Sequence, residues 1–207
     1  IKTRFPRLVM PNGYIDRELS LRTWAIDYQT INVMDLARYA HAFPNAFYES
    51  ILDKAMEFTH SSGLIKRYRE LTPGKRYSVG FWAEALYYRC LSKNNIEYRQ
   101  WLAEAMFECH DLEFGMAPSL LGSNGEARGA YQATEFPFLN IKHLLMANLS
   151  KNDKTEILLV NSGDKEQTIS DLPEPFISLT WFDSTGSKLS KDNLYISTNN
   201  WIRGITL

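Results

Sequence analysis

The sequence predicts an α+β protein in which helices and strands occupy two segregated domains. Apolar residues recur with the 3.6-residue period of helices in segments between residues 19 and 149, and with the two-residue period of strands after residue 150. Neither part alternates single strands with single helices, as a parallel βαβ sheet would. We therefore expect an α-helical domain at 1–150 and a small antiparallel, β-sandwich-like domain at 151–207.

Five helices are predicted from apolar residues at helical spacing. Pro44 ends the first helix, and the turn at residues 61–63 ends the second. Residues 64–78 are rich in charged side chains and predict a long loop. The predicted helices span residues 19–43, 47–60, 79–91, 96–109 and 138–149.

Strands are predicted after residue 150, where apolar and polar residues alternate. Short polar segments that contain Gly or Asn separate them and predict tight turns at residues 161–164, 183–186 and 198–200. The predicted strands span residues 156–160, 167–170, 176–182, 194–197 and 201–207.

Composition and charge narrow the classes of function. The 207 residues are 44% hydrophobic, which is enough to bury a core without disulfides. The 23 basic and 24 acidic residues form no long run of one sign, so nucleic acid is not an expected partner. No apolar run reaches the ~18 residues of a membrane span. Cys90 and Cys109 are predicted to be separate buried thiols, and no metal site is predicted.

A candidate site is predicted in residues 12–28, where a turn leads into an amphipathic helix. This stretch mixes titratable side chains with aromatic rings, which suits a polar pocket in a helical scaffold. The alternative is a solvated helix start whose aromatic residues belong to the core. The candidate residues in this stretch are Asp16, Arg17, Glu18, Arg22, Trp24, Asp27 and Tyr28.

Further candidates lie beyond this stretch. Glu84 stands between Trp82 and Tyr87 on an apolar helix, and such surroundings raise the pKa of a carboxyl group towards general-acid use. The alternative for Glu84 is a structural ion pair with an arginine. His41 is a candidate base near the end of the first helix, where helix capping is the alternative. Glu135 is one more candidate carboxylate.

The order of the elements resembles the C-terminal part of α/α-toroid carbohydrate enzymes, in which antiparallel helical hairpins precede a small β-sandwich. Within that group, Glu18, Leu19 and Tyr28 are similar to the Gly…Glu-Leu-x-Arg…Tyr stretch of alginate-lyase and heparinase-like polysaccharide lyases. The arginine departs from this pattern, because Arg22 lies one position late. Residues 180–186 also resemble a Trp-Phe-Asp…Gly turn of β modules in glycoside-processing chains.

The resemblance implies a cofactor-free enzyme that cleaves a uronate-containing polysaccharide by β-elimination, in a secreted or periplasmic location. Tyr28 would act as base and acid, with His41 as second choice. Arg17 or Arg22 would neutralise the substrate carboxylate, and Glu18 would orient the arginine. The residues expected to contact the sugar are Asp16, Trp24, Asp27, Trp82, Glu84, Tyr87 and Glu135.

Three alternatives remain open. A glycoside hydrolase of the α/α-toroid type would use two carboxylates about 5 to 9.5 Å apart, one of them protonated. A non-catalytic helical module would bind a glycan or a protein. Because the chain begins at Ile1 instead of Met, we also expect a piece of a longer protein, inactive without its missing N-terminal portion.

Overall fold

The computed structural model describes residues 23–71, 77–109, 134–135 and 144–206, apart from residues 152, 171, 173 and 175. In this part of the chain, helices come first and antiparallel strands follow. The α+β class with helices and strands segregated along the chain is therefore confirmed. The ring of helical hairpins that defines an α/α toroid stays a prediction.

Five helices lie within the described residues. They are α1 (Thr23–Ala42), α2 (Ala46–Ser61), α3 (Leu64–Leu71), α4 (Tyr77–Ser92) and α5 (Ile96–Cys109). The side chain of Asn45 caps α2 by accepting a hydrogen bond from the backbone N–H of Phe47 at 2.9 Å. Asn95 caps α5 in the same way, through the backbone N–H of Glu97 at 2.8 Å. Both caps explain why these helices begin where they do.

Helices α1 and α4 form the most extensive helix pair of the first part of the chain. Each presents a buried stripe of apolar residues that recur three or four positions apart, which is the spacing of one helix face. The stripes are Val33, Leu36, Ala37 and Ala40 on α1, and Val79, Ala83, Leu86 and Cys90 on α4. Cys90 is a buried thiol, as predicted, whereas the side chain of Cys109 lies outside the described part.

The strands form two antiparallel sheets. They are β1 (Thr134–Glu135), β2 (Leu144–Asn148), β3 (Glu156–Asn161), β4 (Gln167–Ile169), β5 (Thr180–Asp183), β6 (Leu194–Ile196) and β7 (Asn200–Ile205). The larger sheet has the order β1-β2-β3-β7-β5, and β4 pairs with β6 in the smaller one. Each of these pairings is antiparallel.

The two sheets share one hydrophobic core. Leu159 of β3 and Ile202 of β7 are partners across the larger sheet, and both enter this core. Ile169 of β4 and Leu194 of β6 are partners across the smaller sheet and enter the same core. Period-2 alternation therefore buries one face of each sheet against the other.

Three predicted elements are corrected by the structure. Leu64–Leu71 is a helix instead of the start of a loop, and Gly63, with a φ of 69°, turns the chain into it. Leu144–Asn148, predicted within the fifth helix, is a strand. A short apolar run buried on both faces cannot be told from a helix by its period alone. Phe176–Ser178 is a 3₁₀ turn, so the strand predicted from residue 176 begins at Thr180.

The chain divides into two units, Ile1–Ser92 and Lys93–Leu207, so helix α5 belongs with the sheets. Gln100 of α5 accepts a hydrogen bond from the indole N–H of Trp201 on β7 at 2.7 Å. The sequence predicts the boundary after residue 150 instead, because the apolar period changes there from that of a helix to that of a strand. None of the helices that the structure describes has the length and apolar character that a membrane crossing requires.

Candidate functional site

A polar cluster lies where α1 and α4 pack together in the first unit. Arg38 and His41 lie one turn apart on α1, and Glu84, Tyr88 and Ser92 follow at four-residue spacing on α4. Residues three or four apart share one face of a helix, so each helix contributes a short polar row. We call these five residues the Arg38 cluster.

Arg38 is held by an ion pair with Glu84. Nε of Arg38 donates to Oε1 of Glu84 at 2.8 Å, and Nη2 donates to the same oxygen. The Glu84 side chain is 1% exposed, whereas 37% of the Arg38 side chain is exposed. Asp35 approaches Nη1 of Arg38 only to 4.0 Å. The guanidinium is therefore anchored on its inner side by a buried carboxyl group and is open on its outer side.

Burial controls the protonation of this pair. Loss of water raises the pKa of Glu84 above its ordinary value, although the hydrogen bond from Arg38 acts in the opposite direction. Burial lowers the pKa of Arg38, but the hydrogen bond to Glu84 and the charges of Glu84, Tyr88 and Asp35 together outweigh it and raise that pKa overall. Both pKa values are therefore raised, that of Glu84 by its loss of water and that of Arg38 by its negative neighbours.

His41 is oriented by two contacts with α4. Its Nδ1 lies 3.1 Å from the hydroxyl oxygen of Ser92, which is a hydrogen-bond distance. Its ring centroid lies 5.4 Å from that of Tyr88, at an interplanar angle of 49°. Tyr87 packs edge-on against Tyr88 at 5.6 Å, and burial raises the pKa of the Tyr87 phenol. An imidazole and a phenol are therefore neighbours beside the anchored guanidinium.

Most of the predicted site residues lie outside what the structure describes in full. Asp16, Arg17, Glu18 and Arg22 lie outside the described residues. Trp24, Asp27 and Tyr28 lie in α1 and Glu135 lies in β1, but their side chains are outside the described part. The roles predicted for these eight residues stay predictions.

Four predicted site residues have described side chains. His41 and Glu84 come together in the Arg38 cluster, and Tyr87 adjoins it through Tyr88. The Trp82 side chain is buried at 4% exposure, and its predicted contact with a sugar stays a prediction. The predicted ion pair of Glu84 with an arginine is present.

The residue that sequence reasoning missed is Arg38. A carboxyl group on an apolar helix needs a cationic or hydrogen-bonding partner when it is buried. Arg38 follows Ala37 of the apolar stripe of α1, and a basic residue next to that stripe was the available signal. The sequence does not say which arginine faces Glu84, since the two residues lie 46 positions apart.

No group of His, Cys, Asp or Glu among the described side chains is arranged to hold a metal ion. Comparisons with known proteins found no matching family model, no matching curated protein and no matching solved structure. What indicates a function is therefore the chemistry of the Arg38 cluster itself. That cluster offers a cation, a base and a hydroxyl donor within one helix pair.

Proposed function

We propose that the chain is a polysaccharide lyase that cleaves uronate-containing chains by β-elimination, with the Arg38 cluster as its reaction centre. The observation that carries the proposal is the partly exposed Arg38, anchored by buried Glu84 one helical turn from an oriented His41. β-Elimination needs a cation for the substrate carboxylate and a base for the proton beside it. Both groups lie on α1.

Arg38 supplies the cation. Negative charge builds up on the substrate carboxylate as the neighbouring proton leaves, and a positioned guanidinium stabilises that charge. Glu84 occupies the Nε and Nη2 donors that face α4. The Nη1 side remains for the substrate, since Asp35 lies beyond hydrogen-bond distance of it. Glu84 is therefore a positioning residue that fixes the plane of the Arg38 guanidinium.

His41 supplies the base, and Tyr88 supplies the acid. Imidazole changes its charge close to neutral pH, which makes histidine the side chain best matched to proton abstraction. The contact with Ser92 fixes the imidazole plane. The phenol of Tyr88 can donate a proton to the departing oxygen, and its ring lies next to His41. The proton that His41 takes up can then pass back to Tyr88.

The step balances within the cluster. His41 removes the proton from C5 of the uronate, and the C5–H electron pair forms the C4=C5 double bond. The C4–O glycosidic bond breaks, and the leaving oxygen keeps its electron pair and takes the proton of Tyr88. The product carries an unsaturated uronate at its new non-reducing end. That conjugated end absorbs in the ultraviolet, whereas the substrate does not.

Ultraviolet absorbance during incubation with alginate and with polygalacturonate tests the proposal. We expect absorbance to rise with the intact chain. His41→Ala and Arg38→Ala should each lower kcat by about 10²-fold or more, because each removes one group that acts in the transition state. Arg38→Lys keeps the positive charge but loses the paired N–H donors of the guanidinium. Its kcat should therefore lie between that of the intact chain and that of Arg38→Ala.

Matched controls separate chemistry from folding. His60→Ala makes the same change on α2, and Arg67→Lys makes the same change on the exposed face of α3. Both should keep the rate of the parent chain, and circular dichroism should show equal helix content in every variant. The proposal would be contradicted if the intact chain produced no rise in absorbance with either polymer. It would also be contradicted if His60→Ala lowered the rate as much as His41→Ala does.

A glycoside hydrolase is the second candidate, and the raised pKa of Glu84 is the observation that favours it. A general acid in a hydrolase is a carboxyl group whose pKa its surroundings raise. Glu84 is nevertheless 1% exposed and bonded to Arg38, which keeps it away from a glycosidic bond. New reducing ends without ultraviolet absorbance would identify a hydrolase, and glycan binding without any cleavage would identify a binding module.

The proposal includes an α/α-toroid arrangement of the helices. What supports it is the α1–α2 pair, which packs together through a connection of only three residues, 43–45. Repeated hairpins of this kind build the toroid. An experimental structure of the intact protein tests this point, and helices that do not close into a ring would contradict it.

A further inference from the structure

A second cluster of charged side chains lies in the unit Lys93–Leu207. Arg99 of α5 donates to both oxygens of Glu156 on β3, from Nε at 2.5 Å and from Nη2 at 2.6 Å. Its Nη1 donates to the backbone carbonyl of Asn95 at 3.1 Å. Arg99 is 1% exposed. Glu156 therefore already has a full bidentate partner, and its charge is balanced by Arg99.

Arg203 of β7 lies beside this pair, and the carboxylate that it approaches among the described residues is the same Glu156. Its Nη1 lies 3.9 Å from Oε1 of Glu156, beyond hydrogen-bond distance. Its Nε is buried and finds no hydrogen-bond partner within the described part of the chain. Burial lowers the pKa of Arg203, Glu156 raises it and Arg99 lowers it further, with a net decrease. Two guanidiniums thus face one carboxylate.

The register of the sheet places Arg203 beside an aromatic ring. Arg203 is the partner of Leu158 on β3 and of Phe182 on β5, which is an outer strand of the larger sheet as described. The guanidinium carbon lies 5.9 Å from the centroid of the Phe182 ring. The ring excludes water from one side of the guanidinium and favours its positive charge. The Arg203 side chain is 18% exposed, so part of it borders solvent although its Nε is buried.

We propose that Arg203 binds the carboxylate of an acidic sugar, with Phe182 beside it and the Arg99–Glu156 pair behind it. A carboxylate accepts two parallel hydrogen bonds from a guanidinium. It would balance the positive charge of Arg203, because the charge of Glu156 is already balanced by Arg99. Partial burial strengthens that attraction relative to an exposed arginine. The choice of a uronate as the ligand rests on the proposed lyase function.

Calorimetry with alginate and polygalacturonate oligosaccharides tests this site on the full chain. His41→Ala serves as the parent, so that the ligand is not cleaved during the measurement. Adding Arg203→Gln should weaken binding about tenfold or more, the usual loss for a hydrogen bond to a charged group. The affinity of the Arg203→Lys variant should lie between that of the parent and that of Arg203→Gln, because lysine keeps the charge without the paired donors of a guanidinium.

Two controls define the ligand and the residue. Lys165→Gln removes an exposed cation from the same unit and should change affinity less than about twofold. Oligosaccharides whose carboxyl groups have been reduced to alcohols should bind the parent and Arg203→Gln equally. The side-chain Nε–Hε resonance of Arg203, identified by its absence in Arg203→Lys, should shift when the uronate is added to the parent. That last readout does not depend on how Arg203→Gln folds.

Each contrary result has a distinct meaning. Equal affinity of the parent and Arg203→Gln, or an unmoved Arg203 resonance, overturns the site. Competition by inorganic phosphate as strong as by the uronate overturns the assignment to a sugar carboxylate. Arg203-dependent uronate binding by a chain that releases no unsaturated ends contradicts the lyase proposal and leaves the Arg203 site standing.

Discussion

Arg38 differs from the other anchored arginines in which partner is hidden from water. Arg89 is buried and its partner Asp53 is 31% exposed, and Arg99 is buried while its partner Glu156 is 17% exposed. In the Arg38 pair the carboxyl group is buried and the guanidinium reaches solvent. A guanidinium that reaches solvent can meet an anion from outside while its inner donors hold the buried carboxyl group. The reversed exposure is what favours a binding role for Arg38.

Glu84 should give the free energy of unfolding a recognisable pH dependence. Because burial raises its folded-state pKa, the folded chain keeps a proton that the unfolded chain has released between the two pKa values. The free energy of unfolding should therefore fall as pH rises from about pH 4 through the raised pKa. Glu84→Gln should lack this decrease, in denaturant titrations at a series of pH values.

The difference in free energy of unfolding between the unsubstituted chain and Glu84→Gln isolates the contribution of Glu84, since all other titrating groups are common to both chains. Glu57→Gln is the matched control on the exposed face of α2 and should keep the decrease. Parallel pH curves for the parent and Glu84→Gln would contradict the assignment of a raised pKa to Glu84.

At the scale of elements, β7 shows how one residue fixes a close approach between strands. Gly204 is the partner of Trp181 on β5 and of Ile157 on β3. A Cβ at position 204 would lie 2.9 Å from ring carbons of Trp181 and 3.0 Å from Leu179. The indole lies over the strand in the space that a side chain would need. Glycine is therefore required here for packing, not for its φ angle.

Gly204→Ala should destabilise the chain by about 1–3 kcal/mol, the usual cost of adding a methyl group to a filled core. Chemical denaturation measures this loss. Trp181→Phe removes the ring carbons that would clash, so the double variant should be more stable than the sum of the two single losses predicts. Strictly additive losses would show that the clash with Trp181 is not the cause.

At the scale of the whole molecule, a net charge of −1 gives an anionic polysaccharide no general attraction to the chain. Local cations such as Arg38 and Arg203 must therefore supply the attraction in the functions proposed here. Each belongs to its own unit, Ile1–Ser92 or Lys93–Leu207. The position of the unit boundary accordingly decides which pieces of the chain can be studied separately.

A piece of residues 93–207 should fold and unfold cooperatively by itself, because α5 packs on β3 and bonds to Trp201 within that unit. A piece of residues 151–207 lacks α5 and β2, and it should expose Leu158 and Val160, which are fully buried in the chain. Circular dichroism and tryptophan fluorescence in denaturant compare the two pieces. Equal cooperativity of both would place the boundary nearer residue 150.

The sequence by itself determined the helix Ile96–Cys109, most strand positions and the order of helices before strands, because these follow from local periodicity and turn residues. It did not determine that Leu144–Asn148 is a strand, because pairing with β3 overrides the local pattern. It marked Glu84 and His41 but not Arg38. Only tertiary packing decided that partner, since charge pairing acts through space between residues far apart in the chain.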